Sequence, residues 1–206
     1  VGLLECKKAL EKSGGDIEKA IEEMRITGLA KAVSKSDRSA TEGLIVVAIS
    51  NDAKQAAIVE INCETDFVAG NEVFIAYAND IAEAALSAKI DDVEALLKEK
   101  TEGDHTFEER RQQLVLKLGE NIQLRRIEFI QSEGKICFYQ HGRKIGVVVA
   151  IGNDNEAVGK DIAMHVAAAQ PKAVAVADLS PELVNKEKAV FEAQVKDLDK
   201  PKDMIE

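Results

Sequence analysis

Apolar residues at helical spacing open the chain on both sides of a break at Ser13–Gly15. Before the break the spacing is i, i+3 and i+7, at Leu3, Cys6 and Leu10; after it the spacing is i, i+3, i+4 and i+7, at Ile17, Ala20, Ile21 and Met24. Asp16 is placed to cap the second helix, and Gly28 is placed to end it. Helices of ~10 residues are marginal alone, so we expect an upstream helix to complete a three-helix bundle. Both ends of the chain lie within helical patterns, and we therefore expect truncation at both ends.

Alternating patterns then predict strands. The small and charged residues 30–42 predict a linker with a helical start. Leu44–Ile49 and Ala57–Cys63 are β-rich runs separated by N-D-A-K-Q, which predicts an antiparallel hairpin. A helix with a buried stripe should follow, the stripe being Phe74, Ala78, Ile81, Ala82 and Ala85. A short helix is expected within residues 91–99.

A capping box and a shift of phase mark the middle of the chain. Thr106 and Glu109 form an S/T-x-x-E pattern that should begin a helix, and Gly119 should end it. A second sheet region is expected from residue 122. Its apolar alternation changes phase at Arg125–Arg126, which predicts a bulge or bend there.

The last part of the chain should contain a hairpin and two helices. Lys135–Gln140 and Ile145–Ile151 predict the hairpin, with residues 141–144 at its tip. A helix is expected from about Glu156 to Gln170. Ser180 followed by Pro181 predicts the start of a final helix, which should bury Val184, Phe191 and Val195 and end before Lys200.

One order of elements occurs twice. A Glu-Gly pair, strand, loop, strand, acidic loop and Ala-rich helix begins at Glu42 and again at Glu133. This repetition predicts two related α+β subdomains.

Composition narrows the possible functions. The chain has 206 residues, of which 46% are hydrophobic and 4% aromatic, so it can build a core packed mainly by aliphatic side chains. Its net charge of −10 disfavours nucleic acid as a partner. No apolar run approaches the ~20 residues of a membrane span. Three scattered cysteines, without a C-x-x-C pair, favour a reducing compartment and no disulfide, so we expect a cytoplasmic protein.

Few residues suggest covalent chemistry. Cys63 and His141 could be imagined as a nucleophile and a base, but Cys63 shares a strand face with apolar residues and is better explained as a buried thiol. His165 should be a core or half-buried histidine, and His105 a solvated one. Without clustered Cys and His or a phosphate-binding loop, we expect no metal, nucleotide or other cofactor.

Basic pairs and one aromatic residue complete the set of candidates. Arg110–Arg111 and Arg125–Arg126 are most simply solvated charges. Phe67 lies between Asp66 and a Gly-containing turn. On composition alone, such a ring is more often tucked under its own helix than exposed, although an exposed ring would be a candidate contact hot spot.

Several stretches of this chain resemble the bacterial elongation factor Ts family, the nucleotide-exchange factors for elongation factor Tu. They run in the family's order: E-C-K-K-A-L (5–10), G-G-D-I-E-K-A-I (14–21), I-N-C-E-T-D-F-V-A (61–69), L-G-E-N-I-Q-L-R-R (118–126), Y-Q-H-G-R-K-I-G-V (139–147) and I-A-M-H-V-A-A (162–168). The T-D-F-V stretch and the Q-H-G hairpin are the most specific of these.

The resemblance implies an α+β fold. Its parts would be an N-terminal ubiquitin-associated-like helical module (1–30), a linker (31–42), and a core of two related antiparallel-sheet-plus-helix subdomains (43–121 and 122–206, the latter including the C-terminal helix). Family members often continue into a further helix that touches the partner, and we expect this sequence to be truncated before that helix.

The resemblance also implies how the chain would act. Thr65, Asp66, Phe67 and Val68 would enter beside the magnesium site of elongation factor Tu, with Lys7, Leu118, Gly119 and His141 as further contacts. The partner would be bound in its GDP-bound and nucleotide-free forms, and GDP release would need no covalent step and no cofactor. No nucleic acid or membrane is expected as a partner, and a homodimer stays open.

Two other functions remain as alternatives. In the first, the helical module is an adaptor for a peptide or ubiquitin-like partner, with the core as its scaffold. In the second, the chain is a Cys hydrolase, which would need Cys63 accessible and near His141. Solvent exposure of Phe67 would favour exchange over an adaptor, and burial of Cys63 would exclude the hydrolase.

Overall fold

Two helices begin the computed structural model, which describes residues 3–101, 103, 105–152 and 154–195. Helix α1 spans Leu3–Lys12 and α2 spans Ile17–Lys35. The Asp16 carboxylate accepts a hydrogen bond from the Lys19 N–H at 3.1 Å, so the predicted cap is confirmed.

The predicted helix end at Gly28 is wrong, because α2 continues to Lys35. Gly28 lies where α2 approaches residues 107–118, and a Cβ at this position would collide with the Leu116 side chain. The glycine therefore permits close packing between helices instead of ending one. The helical start predicted for the linker extends to Lys35, and the module and linker boundaries stay predictions.

A three-stranded antiparallel sheet follows, in the order β1-β2-β3. Strand β1 spans Glu42–Ile49 and β2 spans Gln55–Cys63, which confirms the first predicted hairpin. After β2 come the one-turn helix α3 (Asp66–Ala69) and the long helix α4 (Glu72–Ala88). The predicted stripe of α4 is buried, together with Tyr77, in the main hydrophobic core over β1 and β2.

Two helices and the third strand complete this layer. Helix α5 spans Val93–Lys98 and α6 spans Phe107–Leu118, and α6 begins with the predicted Thr106–Glu109 capping box. Strand β3 spans Gln123–Gln131 and pairs with β2. It therefore belongs to the first sheet and not, as predicted, to the second sheet region.

The predicted bulge in β3 is confirmed. Ile61 pairs with Leu124 and Glu60 pairs with Arg126, which leaves Arg125 as the extra residue. The extra residue accounts for the phase change in the apolar pattern, because it moves all later side chains to the opposite face.

The second sheet is a hairpin of β4 (Lys135–His141) and β5 (Ile145–Ile151), followed by α7 (Glu156–Ala169). The tip of the hairpin lies against the free edge of β1. There the Ile45 N–H donates to the Arg143 carbonyl at 2.7 Å, and the Gln140 amide donates to the Ile45 carbonyl at 3.0 Å. Helices combined with antiparallel sheets make this an α+β fold, as predicted.

The described residues from 168 to 195 belong to a separate unit. Helix α8 spans Pro181–Val195, and the Ser180 hydroxyl accepts from the Leu183 N–H at 3.2 Å, which confirms the predicted cap. Phe191, predicted to be buried, is 67% exposed, while Val184 is half-buried. Within the described part of this unit, the turn at 172–179 lies against Leu183 and Glu187, which leaves Phe191 uncovered. The Val195 side chain and the expected helix start at 203–206 lie outside the described residues.

Candidate partner-binding site

The T-D-F-V stretch forms a capped helical turn at the end of β2, here called the Thr65–Val68 turn. Thr65 has an extended backbone (φ −126°, ψ 156°), and its hydroxyl accepts from the Val68 N–H at 3.4 Å. The Gly70 N–H closes the turn onto the Asp66 and Val68 carbonyls. Thr65 therefore acts as the N-cap of α3, the role that a threonine hydroxyl performs well.

Neighbouring residues of this turn have opposite environments. The Phe67 side chain is 85% exposed and Asp66 is exposed, whereas Val68 and Ala69 are 8% and 3% exposed and belong to the core. Successive helical residues point about 100° apart, so burying Val68 and Ala69 directs Phe67 outward. The composition-based expectation of a tucked ring is wrong, and the exposure of Phe67 is the outcome that favours exchange over an adaptor.

The base of the turn is held by the segment that follows α6. The Glu120 carboxylate accepts from the Glu64 N–H at 3.1 Å, the Thr65 N–H at 3.0 Å and the Thr65 hydroxyl at 2.6 Å. In return, the Glu64 carboxylate accepts from the Asn121 N–H at 2.7 Å. Leu118 and Gly119 directly precede this contact, so the structure brings both close to Thr65.

Leu118 and Gly119 present different surfaces. Leu118 is half-buried and packs on the main core, whereas Gly119 is exposed. Gly119 ends α6 in the left-handed region (φ 80°), as predicted, and its carbonyl accepts from the Lys35 ammonium.

The β4–β5 tip lies beside the same turn. A Cβ built on Gly70 would be 3.0 Å from a guanidinium nitrogen of Arg143, so the tip and the turn are in contact. His141 is exposed, and its Nδ1 is 3.2 Å from the Tyr139 hydroxyl, with the two rings stacked. The structure therefore brings the Thr65–Val68 turn, Leu118–Gly119 and His141 into one region.

Lys7 lies elsewhere, on α1. Its ammonium is exposed and 3.7 Å from the Glu11 carboxylate. Helix α1 packs on α2, which in turn packs on α6. Lys7 is thus part of the helical surface and not part of the turn.

Cys63 is unsuited to nucleophilic chemistry. The thiol is fully buried and donates to the Thr65 carbonyl at 3.2 Å. Burial, followed by the nearby Glu120 carboxylate, raises the pKa of Cys63 to about 11. His141 is exposed and bonded to Tyr139, so the expected buried role of Cys63 is confirmed. Cys6, Cys63 and Cys137 are all free thiols.

Two expectations about charged and polar side chains need correction. His165 is exposed and not core or half-buried, because on α7 the core-facing positions belong to Gly159 and Ala163; His105 is exposed, as predicted. Arg110 and Arg111 are structural and not simply solvated. Arg110 pairs with Asp80 at 2.6 Å, and Arg111 pairs with Glu108 at 2.6 Å.

The second arginine pair fits its prediction better. Arg125 and Arg126 are 63% and 69% exposed and lie near the Glu60 carboxylate.

In the described part of the chain, no group of three or more His, Cys, Asp or Glu side chains could hold a metal ion. No described helix combines the length and apolar character needed to cross a membrane.

Three residues of the site were not predicted from the sequence: Glu120, Asn121 and Arg143. Glu120 and Asn121 lie within L-G-E-N-I-Q-L-R-R, and Arg143 lies within Y-Q-H-G-R-K-I-G-V. The signal that could have found them was their position beside Gly119 and His141 in these two matching stretches. Their partners, however, are 55 or more residues distant in sequence or on another element.

The fold and the site define an α+β protein whose distinctive surface suits protein contact: an exposed aromatic ring on a clamped turn. The family model described as "Elongation factor TS" matches residues 64–206. The chain is 46% identical over 205 residues to elongation factor Ts of Hydrogenovibrio crunogenus and 48% identical over 205 residues to that of Legionella pneumophila strain Paris. It is also 48% identical over 208 residues to elongation factor Ts of Acidithiobacillus ferrooxidans. Each match covers 100% of this chain and 70% of the relative.

The chain therefore belongs to the elongation factor Ts family. This membership makes it a translation elongation factor with a nucleotide-exchange role.

Proposed function

We propose that this chain binds elongation factor Tu·GDP and promotes GDP release by placing the Thr65–Val68 turn near the partner's magnesium site, after which GTP rebinds. The observation that carries the proposal is the 85% exposure of Phe67 on a turn anchored in the core by Val68 and Ala69. An exposed aromatic ring on a rigid support is the kind of residue that dominates protein interfaces.

The physical basis of exchange is a coupling between two ligands of one protein. A GTPase holds GDP through a phosphate loop, a helix N-terminus and Mg²⁺. A factor that prefers the nucleotide-free form weakens GDP binding by the same factor by which GDP weakens binding of the factor. In this mechanism Phe67 acts as an apolar wedge and Asp66 supplies charge near the metal, and no covalent bond is made or broken.

The remaining contacts would orient the chain on its partner. Leu118, Gly119 and His141 lie around the turn and would extend its interface. Lys7 would contact the partner from the helices, in the region that we infer to be a ubiquitin-associated-like module. An adaptor that used only this module would not need an exposed Phe67.

Phe67→Ala should separate exchange from stability. We expect release of a fluorescent GDP analogue from elongation factor Tu to slow at least ~thirtyfold, because an interface hot spot contributes ~2 kcal/mol or more. The free energy of unfolding, measured with denaturant, should change by less than ~0.5 kcal/mol, since the ring is exposed. Phe191→Ala is the matched control, because it removes another exposed ring that is not among the proposed contact residues.

If elongation factor Tu releases GDP at the normal rate with Phe67→Ala, the proposal is contradicted. An equally slow rate with Phe191→Ala would also contradict it. His141→Ala should produce a smaller defect than Phe67→Ala, because the hairpin tip would orient the chain without entering the metal site.

A further inference from the structure

We propose that Glu120 is a positioning residue that holds the Thr65–Val68 turn in the conformation that presents Phe67. This inference rests on the proposed exchange function and assigns a specific role to a carboxylate outside the T-D-F-V stretch. Beyond Cys63 the backbone of β2 has no neighbouring strand to pair with in the described part of the chain.

Sheet pairing ends just before the turn. Cys63 is the last residue of β2 paired with β1, and Asn62 is the last paired with β3. The N–H groups of Glu64 and Thr65 therefore have no strand as a partner. Glu120 accepts from both through one carboxylate oxygen, at 3.1 and 3.0 Å. A charged acceptor makes these bonds stronger than neutral ones and fixes the direction in which the chain leaves the sheet.

The second carboxylate oxygen of Glu120 controls the cap of the turn. It accepts the Thr65 hydroxyl proton at 2.6 Å, which turns the hydroxyl lone pairs towards the Val68 N–H. A hydroxyl has only one proton, so its direction is set by the strongest acceptor within reach. Glu120 thereby orients the group that caps the helix carrying Phe67.

A reciprocal bond joins the two segments from the other side. The Glu64 carboxylate accepts from the Asn121 N–H, and the Asn121 amide donates to the carbonyls of Ser36 and Arg38 at 3.1 and 2.8 Å. Asn121 is 1% exposed, so these bonds attach the segment to a buried side chain of the fold. Glu120 is thus attached to a rigid base, and the turn is held against it.

A single helical turn has little stability of its own, because nucleation orders several residues for one hydrogen bond. Without Glu120, the Thr65–Val68 turn would sample other conformations, and binding would have to order it again at a cost in affinity. Removing Glu120 should therefore weaken the effect of this chain on GDP release by its partner, although the Phe67 side chain itself is still present.

The test is a double-mutant cycle on GDP release. Glu120→Ala should slow release roughly tenfold in the otherwise unchanged chain, the factor expected for losing hydrogen bonds to a charged group. In the Phe67→Ala background the same substitution should change release by less than about twofold, because there is then no ring to position. Glu120→Gln retains a carbonyl oxygen for the two backbone N–H groups and should recover part of the lost rate.

A structural control distinguishes positioning from general destabilisation. Glu108→Ala removes another half-buried glutamate, which pairs with Arg111 on α6. It should lower the denaturant midpoint while leaving the maximal release rate unchanged. Hydrogen exchange of the Glu64 and Thr65 amides should accelerate in Glu120→Ala and stay slow in Glu108→Ala.

An unchanged release rate in Glu120→Ala, or an equal loss with and without Phe67, would overturn the positioning role. If the Phe67→Ala variant still promotes GDP release from elongation factor Tu at the normal rate, the proposed function fails independently of this inference. Hydrogen exchange alone then decides: faster exchange at Glu64 and Thr65 supports the clamp, and retained protection overturns it.

Discussion

Phe67 and Val68 are adjacent in sequence, yet one ring lies in solvent and one side chain lies in the core. Their exposures of 85% and 8% follow from the single helical turn that contains both residues and points their side chains in different directions. The same contrast separates Cys63, which is fully buried, from Asp66 three positions later. At the scale of residues, this short segment joins the core directly to the proposed interface.

Cys63 should be almost inert to alkylation in the native chain. Its pKa is raised from 9.0 to about 11 by burial and by Glu120, so the thiolate is scarce and shielded at pH 8. We expect iodoacetamide to modify the partly exposed Cys6 first and Cys63 only after denaturation, as followed by peptide mass spectrometry.

The same pKa shift predicts a loss of stability in alkali. A folded-state pKa above the unfolded value stabilises the fold fully below about pH 9 and loses this contribution as the pH rises towards about 11. Cys63→Ala should remove this part of the pH dependence. Rapid native alkylation of Cys63 at pH 8 would contradict the assigned burial.

At the scale of elements, short local signals decide where helices begin and where strands bend. The Thr106–Glu109 capping box begins α6, and the extra residue Arg125 bends β3. The long α4 is capped by Asn71, whose side chain accepts from the Val73 N–H at 3.0 Å. These features matter to the site, because α6 ends at Leu118, immediately before the segment that holds the Thr65–Val68 turn.

Thr106→Ala should destabilise the chain by ~1 kcal/mol, the usual effect of losing an N-cap hydroxyl. The hydroxyl accepts from the Glu109 N–H at 3.2 Å, and the Glu109 carboxylate accepts in return from the Thr106 N–H at 3.0 Å. Denaturant unfolding measures the change. Thr106→Ser is the matched control, since it keeps the hydroxyl, and equal destabilisation by Ser and Ala would show that the cap is not responsible.

At the scale of the whole molecule, residues far apart in sequence meet around one turn. The end of α6, the tip of β4–β5 and the end of β2 come together at residues 64–70. Lys7 stands apart from this region on α1. The arrangement suggests two separable contributions to function: exchange at the turn and affinity from the helices.

Lys7→Ala should raise the chain concentration needed for half-maximal GDP release by roughly two- to fivefold, the range expected for an exposed charge at an interface. The maximal rate should stay unchanged, because α1 is separate from the turn. Titration of elongation factor Tu·GDP with each variant measures both quantities. Lys8→Ala, which changes an exposed neighbour, should behave like the unchanged chain, and a lower maximal rate for Lys7→Ala would contradict the separation.

Part of the proposed site could be predicted from sequence. The T-D-F-V stretch and the Q-H-G hairpin drew attention to Phe67 and His141, but the exposure of Phe67 contradicted the expectation from composition. Glu120 could not be assigned, because its partner Thr65 is 55 positions away and no local pattern reports that contact.

The sequence by itself determined the elements whose signals are local: the hairpins, the buried stripe of α4, the capping box and the bulge at Arg125. Each depends on side-chain periodicity or on hydrogen bonds within a few residues, so neighbouring letters suffice. Only the tertiary structure decided that β3 joins the first sheet, that Gly28 lies inside α2 and packs against α6, and that Phe191 stays exposed. Those outcomes depend on which surfaces meet across long sequence separations, and packing between distant elements outweighs local propensity there.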